Sequence, residues 1–295
     1  MIDVHGHAKG EHLAFAQERP IPYTARAIFS WFYRGACNGR LRALVLTDHS
    51  NLATTQDPEA IAAARHALSL ASAGDVAGAA HTAVVPVELA ATVSRAMRGG
   101  LRCLIGVEAD NDPRDAETAA EILAQWWPEC VVRSVHFLEF EHSEGGLWLW
   151  PFDNPEFSEF YACYGARAVW RCYVETLLRE IEARRTDVVG HFYVPAKFGH
   201  WPPLSELEEH EDRLIDVCAR RFLAIEFNTR ALYRGAPENR EAYLTHYRRL
   251  LRKSARAGVP IALGSDAHSP MDQANSFDPA MNVVAQVRGI ELYAA

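Results

Sequence analysis

Seven short runs rich in Val, Ile and Leu recur along the 295-residue chain, at 2–4, 43–46, 103–107, 131–135, 188–190, 223–227 and 261–264. The runs do not alternate with polar residues. A strand with one wet face alternates, so such runs predict parallel strands covered on both faces. Longer stretches with helical periodicity separate them. Residues 203–222 place Leu204, Leu207, Leu214, Ile215 and Cys218 on one face, with Ser205 and Glu208 spaced as a capping box. Residues 237–260 repeat Leu244, Tyr247 and Leu251 on one side and stop at Gly258 and Pro260. Strands alternating with helices predict a parallel α/β fold. Seven strands in a chain of this size suit a (β/α)7 barrel better than an open sheet, although periodicity alone does not close the circle. No linker or internal repeat divides the chain, so a single domain over 1–295 is expected. Residues 139–156, with two Gly, two Pro and two Trp, are expected to form a long strand-to-helix loop above the barrel's C-terminal face.

Charge and cysteine usage narrow the function. The net charge is −8 and no long Lys/Arg run occurs, which argues against an extended nucleic-acid partner and for a compact acidic pocket holding cations. The six cysteines form no CxxC pair and several lie in apolar runs, as expected of buried free thiols in a reducing compartment. The N-terminal stretch "MIDVHGHAKG" lacks the pattern of a signal peptide, and no window reaches the ~18 apolar residues of a membrane span. A cytoplasmic protein without a membrane partner is expected.

The ends of the seven runs carry the chemistry. The first enters His5-Gly6-His7, and the second ends on Asp48-His49. The third ends on Glu108, the fourth on His136 and the fifth on His191. The sixth contains Glu226 and Asn228, and the seventh ends on Asp266 and His268. The C-terminal edge of a parallel barrel is where catalytic groups gather. A lone strand-end His is most often a core residue bonded to a carbonyl, but six of the 13 His fall at these few positions. In His-x-His on a strand both imidazoles project from one face and can share a cation. Imidazole with carboxylate suits Zn, Mn or Fe better than Mg or Ca. The donors outnumber the roughly four to six ligands of one ion. Two or three divalent metals are therefore expected, with Glu108 as the natural bridge. Asp48 is expected either to orient His49 or to act in the site. Glu226 is expected to face away as a structural residue, and His12 to be a further ligand. His66, His81, His142, His210 and His246 read as solvated. Lys197, Arg230 and Arg234 follow the fifth and sixth runs, where cations could bind a substrate phosphate or make rim salt bridges. No P-loop and no GxSxG elbow appear.

The ordered set "HGH", "TDH", "GVE", "SVH", "GH" and "SDAH" resembles the PHP (polymerase and histidinol phosphatase) superfamily over nearly the whole chain. The resemblance implies a distorted (β/α)7 barrel of the PHP type with up to three metals. It implies that His5, His7, Glu108 and Asp266 hold one metal, that Glu108 and His136 serve a second, and that His49, His191 and His268 complete the second and third. The stretches "GVEAD", "SVHFL", the segment from Gly190 to His200, and "NT" followed by arginines are similar to monofunctional histidinol-phosphate phosphatases. Those enzymes release phosphate from L-histidinol phosphate in histidine biosynthesis. The implied activity is thus a metal-dependent phosphomonoesterase, with Asp48 or His268 as the acid that protonates the leaving alcohol. The alternatives are a phosphoesterase acting on a nucleotide or other small phosphoester, and a metal-binding module without catalysis. An amidohydrolase-type site would need a strand-end Lys, and none is supplied. The chain departs from the family pattern after His7, where "AKGEH" has neither the Thr nor the Cys, and His12 stands five residues on rather than six.

Overall fold

The computed structural model describes residues 1–9, 21–112, 116–141 and 145–294. His12 and His142 lie outside the described residues. The strands are β1 (Ile2–Asp3), β2 (Ala43–Leu46), β3 (Arg102–Ile105), β4 (Val107–Ala109), β5 (Val131–Arg133), β6 (Leu138–Glu141), β7 (Leu147–Trp150), β8 (Val188–Val189), β9 (Ala224–Asn228) and β10 (Ile261–Gly264). Parallel pairing runs β1–β2–β3 in one sheet and β4–β5–β8–β9–β10 in a second.

Two joins make a ring of these sheets. β3 and β4 are one segment broken at Gly106, whose N–H donates to Leu46 O at 2.7 Å, while Val107 N–H donates to Cys130 O at 2.9 Å. A Cβ at Gly106 would sit 2.3 Å from Cys130 O, so glycine is what lets the strand change partner. On the opposite side Val4 N–H donates to Leu263 O at 3.0 Å, and Gly6 bridges Ala267 in parallel. The fold is a seven-stranded parallel α/β barrel, distorted at the Gly106 break.

The barrel interior is layered. Val4, Val45, Val132, Val188, Ala224 and Ala262 are buried together with Leu104 against them, so every strand of the ring contributes to one apolar layer. Residues two further along face the same way. They are Gly6, Thr47, Gly106, Ser134, Gly190, Glu226 and Gly264, and only Glu226 is long. A Cβ on Gly264 would lie 1.9 Å from Glu226 Oε1, and one on Gly190 would lie 2.3 Å from Ser134 Oγ. The small residues therefore leave the room that one buried carboxylate occupies, directly beneath the strand ends.

The helices are α1 (Ala25–Asn38), α2 (Asp57–Ala73), α3 (Val76–Ala83), α4 (Val87–Arg98), α5 (Ala116–Trp126), α6 (Phe160–Tyr164), α7 (Ala166–Ala183), α8 (Leu204–Arg221), α9 (Arg230–Tyr233), α10 (Arg240–Ala257) and α11 (Phe277–Val284). Trp170, Leu177, Leu214 and Leu251 from α7, α8 and α10 join the larger core, while Phe29, Phe32, Ile61 and Leu68 from α1 and α2 form a second. No single described helix is long and apolar enough to cross a membrane.

Four local expectations are corrected. Residues 139–156 are not simply a loop, because β6 and β7 pair antiparallel and Gly145 and Gly146 turn between them at φ 90° and 86°. The period-two pattern of Leu138-Glu139-Phe140-Glu141 was the available signal. Helix α8 starts from Pro203 with no side-chain cap, so Ser205 lies inside its first turn and makes no capping box. His210 is buried against Trp170 and His246 is half-buried against Trp201, so neither is solvated. All six thiols are free, but only Cys130 and Cys218 are buried, and Cys37 and Cys163 are exposed.

Candidate metal centre

Glu108, at the end of β4 and 1% exposed, is the hub of the strand-end residues. Its Oε2 lies 3.3 Å from His5 Nε2, 3.5 Å from His7 Nε2 and 2.9 Å from His49 Nδ1. Its Oε1 lies 3.1 Å from His136 Nε2 and 2.8 Å from His191 Nε2. Asp266 Oδ1 is 3.3 Å from His7 Nε2 and 3.4 Å from His268 Nδ1. The structure therefore brings together His5, His7, His49, Glu108, His136, His191, Asp266 and His268, from six strand ends of the ring.

The surrounding carboxylates fix which nitrogens are left over. His5 Nδ1 is 2.8 Å from Glu226 Oε1, and an ionised carboxylate only accepts, so the ring nitrogen donates. In the neutral ring Nε2 then presents a lone pair to Glu108. His136 repeats the arrangement, with Nδ1 3.3 Å from Asp153 Oδ2 and Nε2 facing Glu108 and Asp110. A lone pair against a carboxylate oxygen is repulsive unless a cation or proton lies between them. This carboxylate–imidazole pairing is the usual support of a metal-binding His. His5 Nε2, both nitrogens of His7 and Asp110 Oδ1 are buried without a hydrogen-bond partner. Four overlapping triads have ligand atoms within 4.8 Å of one another: His5/His7/Asp266, His7/His49/His268, His49/Asp110/His136 and Glu108/His136/His191. The donor set fits divalent metals.

Electrostatics point the same way. Burial opposes the charged form of His49, but Glu108 and Asp110 outweigh it and push its pKa up to about 10. Burial and the neighbouring His49 pull His7 down to about 3, although Asp266 and Glu108 oppose them. Burial would raise Asp266, but Arg230 and His5 hold it well below the usual carboxylate range. Adjacent rings are thus driven in opposite directions, His7 by burial and its imidazole neighbour, His49 by the two carboxylates beside it. Compact cations could neutralise the carboxylates without crowding imidazolium rings together.

Asp110 was not read from the sequence, Glu226 lies on the face opposite to the one expected, and Asp48 stands apart from the ligands. Asp110, two residues after Glu108 on the same strand edge, was missed; its oxygens lie 3.1 Å from His49 Nδ1 and 3.2 Å from His136 Nε2. Glu226 does not face away, since residues two apart share a face and Asn228 also points inward. Glu226 Oε2 accepts from His191 N–H at 2.6 Å and from Asn228 Nδ2 at 3.2 Å. Asp48 is not in the cluster. Its oxygens accept from the Ala8 and Lys9 amides at 3.0 and 2.7 Å and from the Tyr23 hydroxyl.

A cavity of about 820 Å³ opens over the cluster. Phe137, Tyr193, Phe198 and Tyr243 line it together with Lys197, Arg230 and Arg234. Arg230 Nη1 donates to Asp266 O at 2.6 Å and lies 2.8 Å from His268 Nδ1. Lys197 Nζ donates to Asp153 O at 2.7 Å, and Arg234 Nη2 lies 2.7 Å from Asp272 Oδ2. Each cation is thus both held in place and bordering the cavity.

No family model matches the chain. A curated relative from Deinococcus radiodurans, named "Probable histidinol-phosphatase", is 31% identical over 197 residues, spanning 67% of this chain and 69% of the relative. The chain belongs to the histidinol-phosphatase family. The histidinol-phosphatase of Bacillus subtilis is 26% identical over 195 residues, 61% of this chain and 69% of that protein. The crystal structure of a histidinol phosphate phosphatase from Lactococcus lactis, complexed with Zn, L-histidinol and phosphate, superposes with a TM-score of 0.62. It covers 99% of this chain and 95% of its own at 17% identity, so it shows a shared fold across the whole family member.

Proposed function

We propose that this family member hydrolyses L-histidinol phosphate to L-histidinol and phosphate, and that the strand-end cluster holds two or three divalent transition metals for that reaction. The observation that carries the reading is Glu108, whose two oxygens meet five imidazoles beside a cavity bordered by three cationic side chains. The proposed ligands are His5, His7, His49, Glu108, Asp110, His136, His191 and Asp266; His268, expected from the sequence as a ligand too, is left to the leaving group because its Nδ1 faces Arg230. Zn is bound in the Lactococcus lactis structure, and imidazole with carboxylate also suits Mn and Fe. One PHP-type barrel over 1–295 would form the domain. The reaction would place the protein in the cytoplasm, in histidine biosynthesis.

Cations bound in such a site lower the pKa of water and polarise phosphoryl oxygens. The chain's own groups do the rest. Arg230 and Lys197 would bind the non-bridging phosphate oxygens, with Arg234 further out. A guanidinium only donates, so His268 Nδ1 accepts from Arg230 and its neutral ring carries hydrogen on Nε2. That tautomer would let His268 donate an Nε2–H hydrogen bond to the leaving alcohol oxygen as negative charge develops on it. Asp48, buried behind the cluster, has no part in that contact. The aromatic side chains that line the cavity would pack the imidazole of the alcohol half and exclude water.

The test is phosphate release by metal-loaded protein from L-histidinol phosphate, with a nucleoside monophosphate run alongside. A kcat/KM at least a hundredfold higher for L-histidinol phosphate is expected. Preference for the nucleotide, or equal slow turnover of both, would reassign the site to another small phosphoester.

A further inference from the structure

A buried polar network stands behind the imidazoles of the first two strand ends. Asp48 is 1% exposed and binds the amides of Ala8 and Lys9 at 3.0 and 2.7 Å, while the Tyr23 hydroxyl donates to the same carboxylate. Lys9 Nζ donates to Asp57 Oδ2 at 2.6 Å and Leu52 O at 2.8 Å, and lies 4.9 Å from the centre of the Tyr23 ring. Asp57 in turn accepts from the Tyr23 amide and the Thr54 amide, both at 2.8 Å. Two carboxylates thus tie three segments together: the turn after His7, the backbone at Tyr23 and the loop after His49. This is also where the chain carries Ala8 and Lys9 in place of the pattern it otherwise resembles. Asp48 precedes His49, and neighbouring residues in extended backbone point to opposite sides. One side chain therefore locks the backbone while the other reaches the cluster. His7 and His49 stack with ring centres 4.6 Å apart.

We propose that Tyr23 and Asp48 form a positioning clamp that holds His7 and His49 at the spacing required to retain a cation. The proposal rests on the reading that the cluster binds divalent metals. The clamp touches backbone amides on the far side of the ligands, so its loss should loosen the site without removing a donor. Outer-shell groups of metal ligands typically govern about 10–100-fold in affinity or activity.

The test uses zinc-loaded full-length protein, Tyr23→Phe, Asp48→Asn and the double variant. Zinc transfer to a chromophoric chelator gives the rate of loss, and the visible spectrum of the cobalt-substituted forms reports ligand geometry. Tyr23→Phe, which deletes one hydroxyl, should keep wild-type circular dichroism, lose one class of zinc about tenfold faster or more, and shift the cobalt spectrum. The double variant should lose zinc no faster than the worse single variant, because the two residues act as one device. Wild-type loss rates in both single variants would overturn the clamp, and additive rates in the double would overturn the coupling. If one single variant does not fold, the other carries the test. Wild-type protein that retains no divalent metal would instead refute the metal reading on which the clamp rests.

Discussion

Replacing Gly264 by Ala adds one methyl to the most crowded point beneath the cluster. Its backbone is outside the left-handed region, so the cost is one of space. The new Cβ would stand 1.9 Å from Glu226 Oε1, and an ordinary contact begins at 3.4 Å, so about 1.5 Å (3.4 − 1.9) of movement is required. His5 Cβ, 2.9 Å away on another strand, blocks one direction of relief. Overpacking of a core costs about 1–3 kcal/mol, and a displaced Glu226 leaves the His191 amide or His5 Nδ1 unsatisfied for about 1–3 kcal/mol more. The sum is on the order of 2–6 kcal/mol, or roughly 3–10 °C in Tm for a domain of this size. The same movement frees the His5 ring, so metal affinity should fall about 10–100-fold. Differential scanning calorimetry and metal content by mass spectrometry measure both effects. In a Glu226→Ala background the clash partner is gone, and Gly264→Ala should then cost much less. Wild-type Tm and full metal content in Gly264→Ala would refute the layered account of the barrel interior.

Arg230→Met should lower kcat/KM for L-histidinol phosphate by about a hundredfold with metal content unchanged, because a transition-state charge contact is lost. Arg234→Met, half-exposed and paired with Asp272, should raise KM by only a few-fold; equal losses in the two variants would contradict the ranking. Stability should fall as pH drops from about 6.5 towards 4. Burial, then Arg249, pulls His246 down to about 4, and burial, then Arg213, lowers His210 as well. In that window the unfolded chain binds more protons than the folded one, so acid favours unfolding. Urea midpoints of a His210→Gln/His246→Gln double variant should depend less on pH, and an unchanged slope would exclude these two rings as the cause.

The strands were legible because a parallel strand buried on both faces is written as a continuous apolar run, and all seven runs lie on the ring. Closure was not, since it depends on a bond between Val4 and Leu263 and on a partner change at Gly106 that no local pattern encodes. Eight of the strand-end donors could be read from the ends of those runs. Asp110 follows the same rule as Glu108, two residues later, and could have been found by it. Glu226 was placed on the wrong face although its spacing from Asn228 gives the same face. For Asp48 the sequence leaves open orienting His49 and acting in the site, and adjacency in extended backbone, which argues for opposite sides, speaks against the second. Asp153 reaches His136 from the segment after the β6–β7 hairpin, a tertiary contact that sequence spacing does not record.

The most direct test of the central claim is a metal titration of chelator-stripped protein, following phosphate release from L-histidinol phosphate against bound Zn, Mn or Fe per chain, beside Glu108→Ala. Activity should be absent in the stripped form and rise to a plateau at two or three equivalents. Glu108→Ala should bind fewer ions and remain inactive. Full activity without bound metal, or a Glu108→Ala protein with wild-type metal content and turnover, would contradict the account.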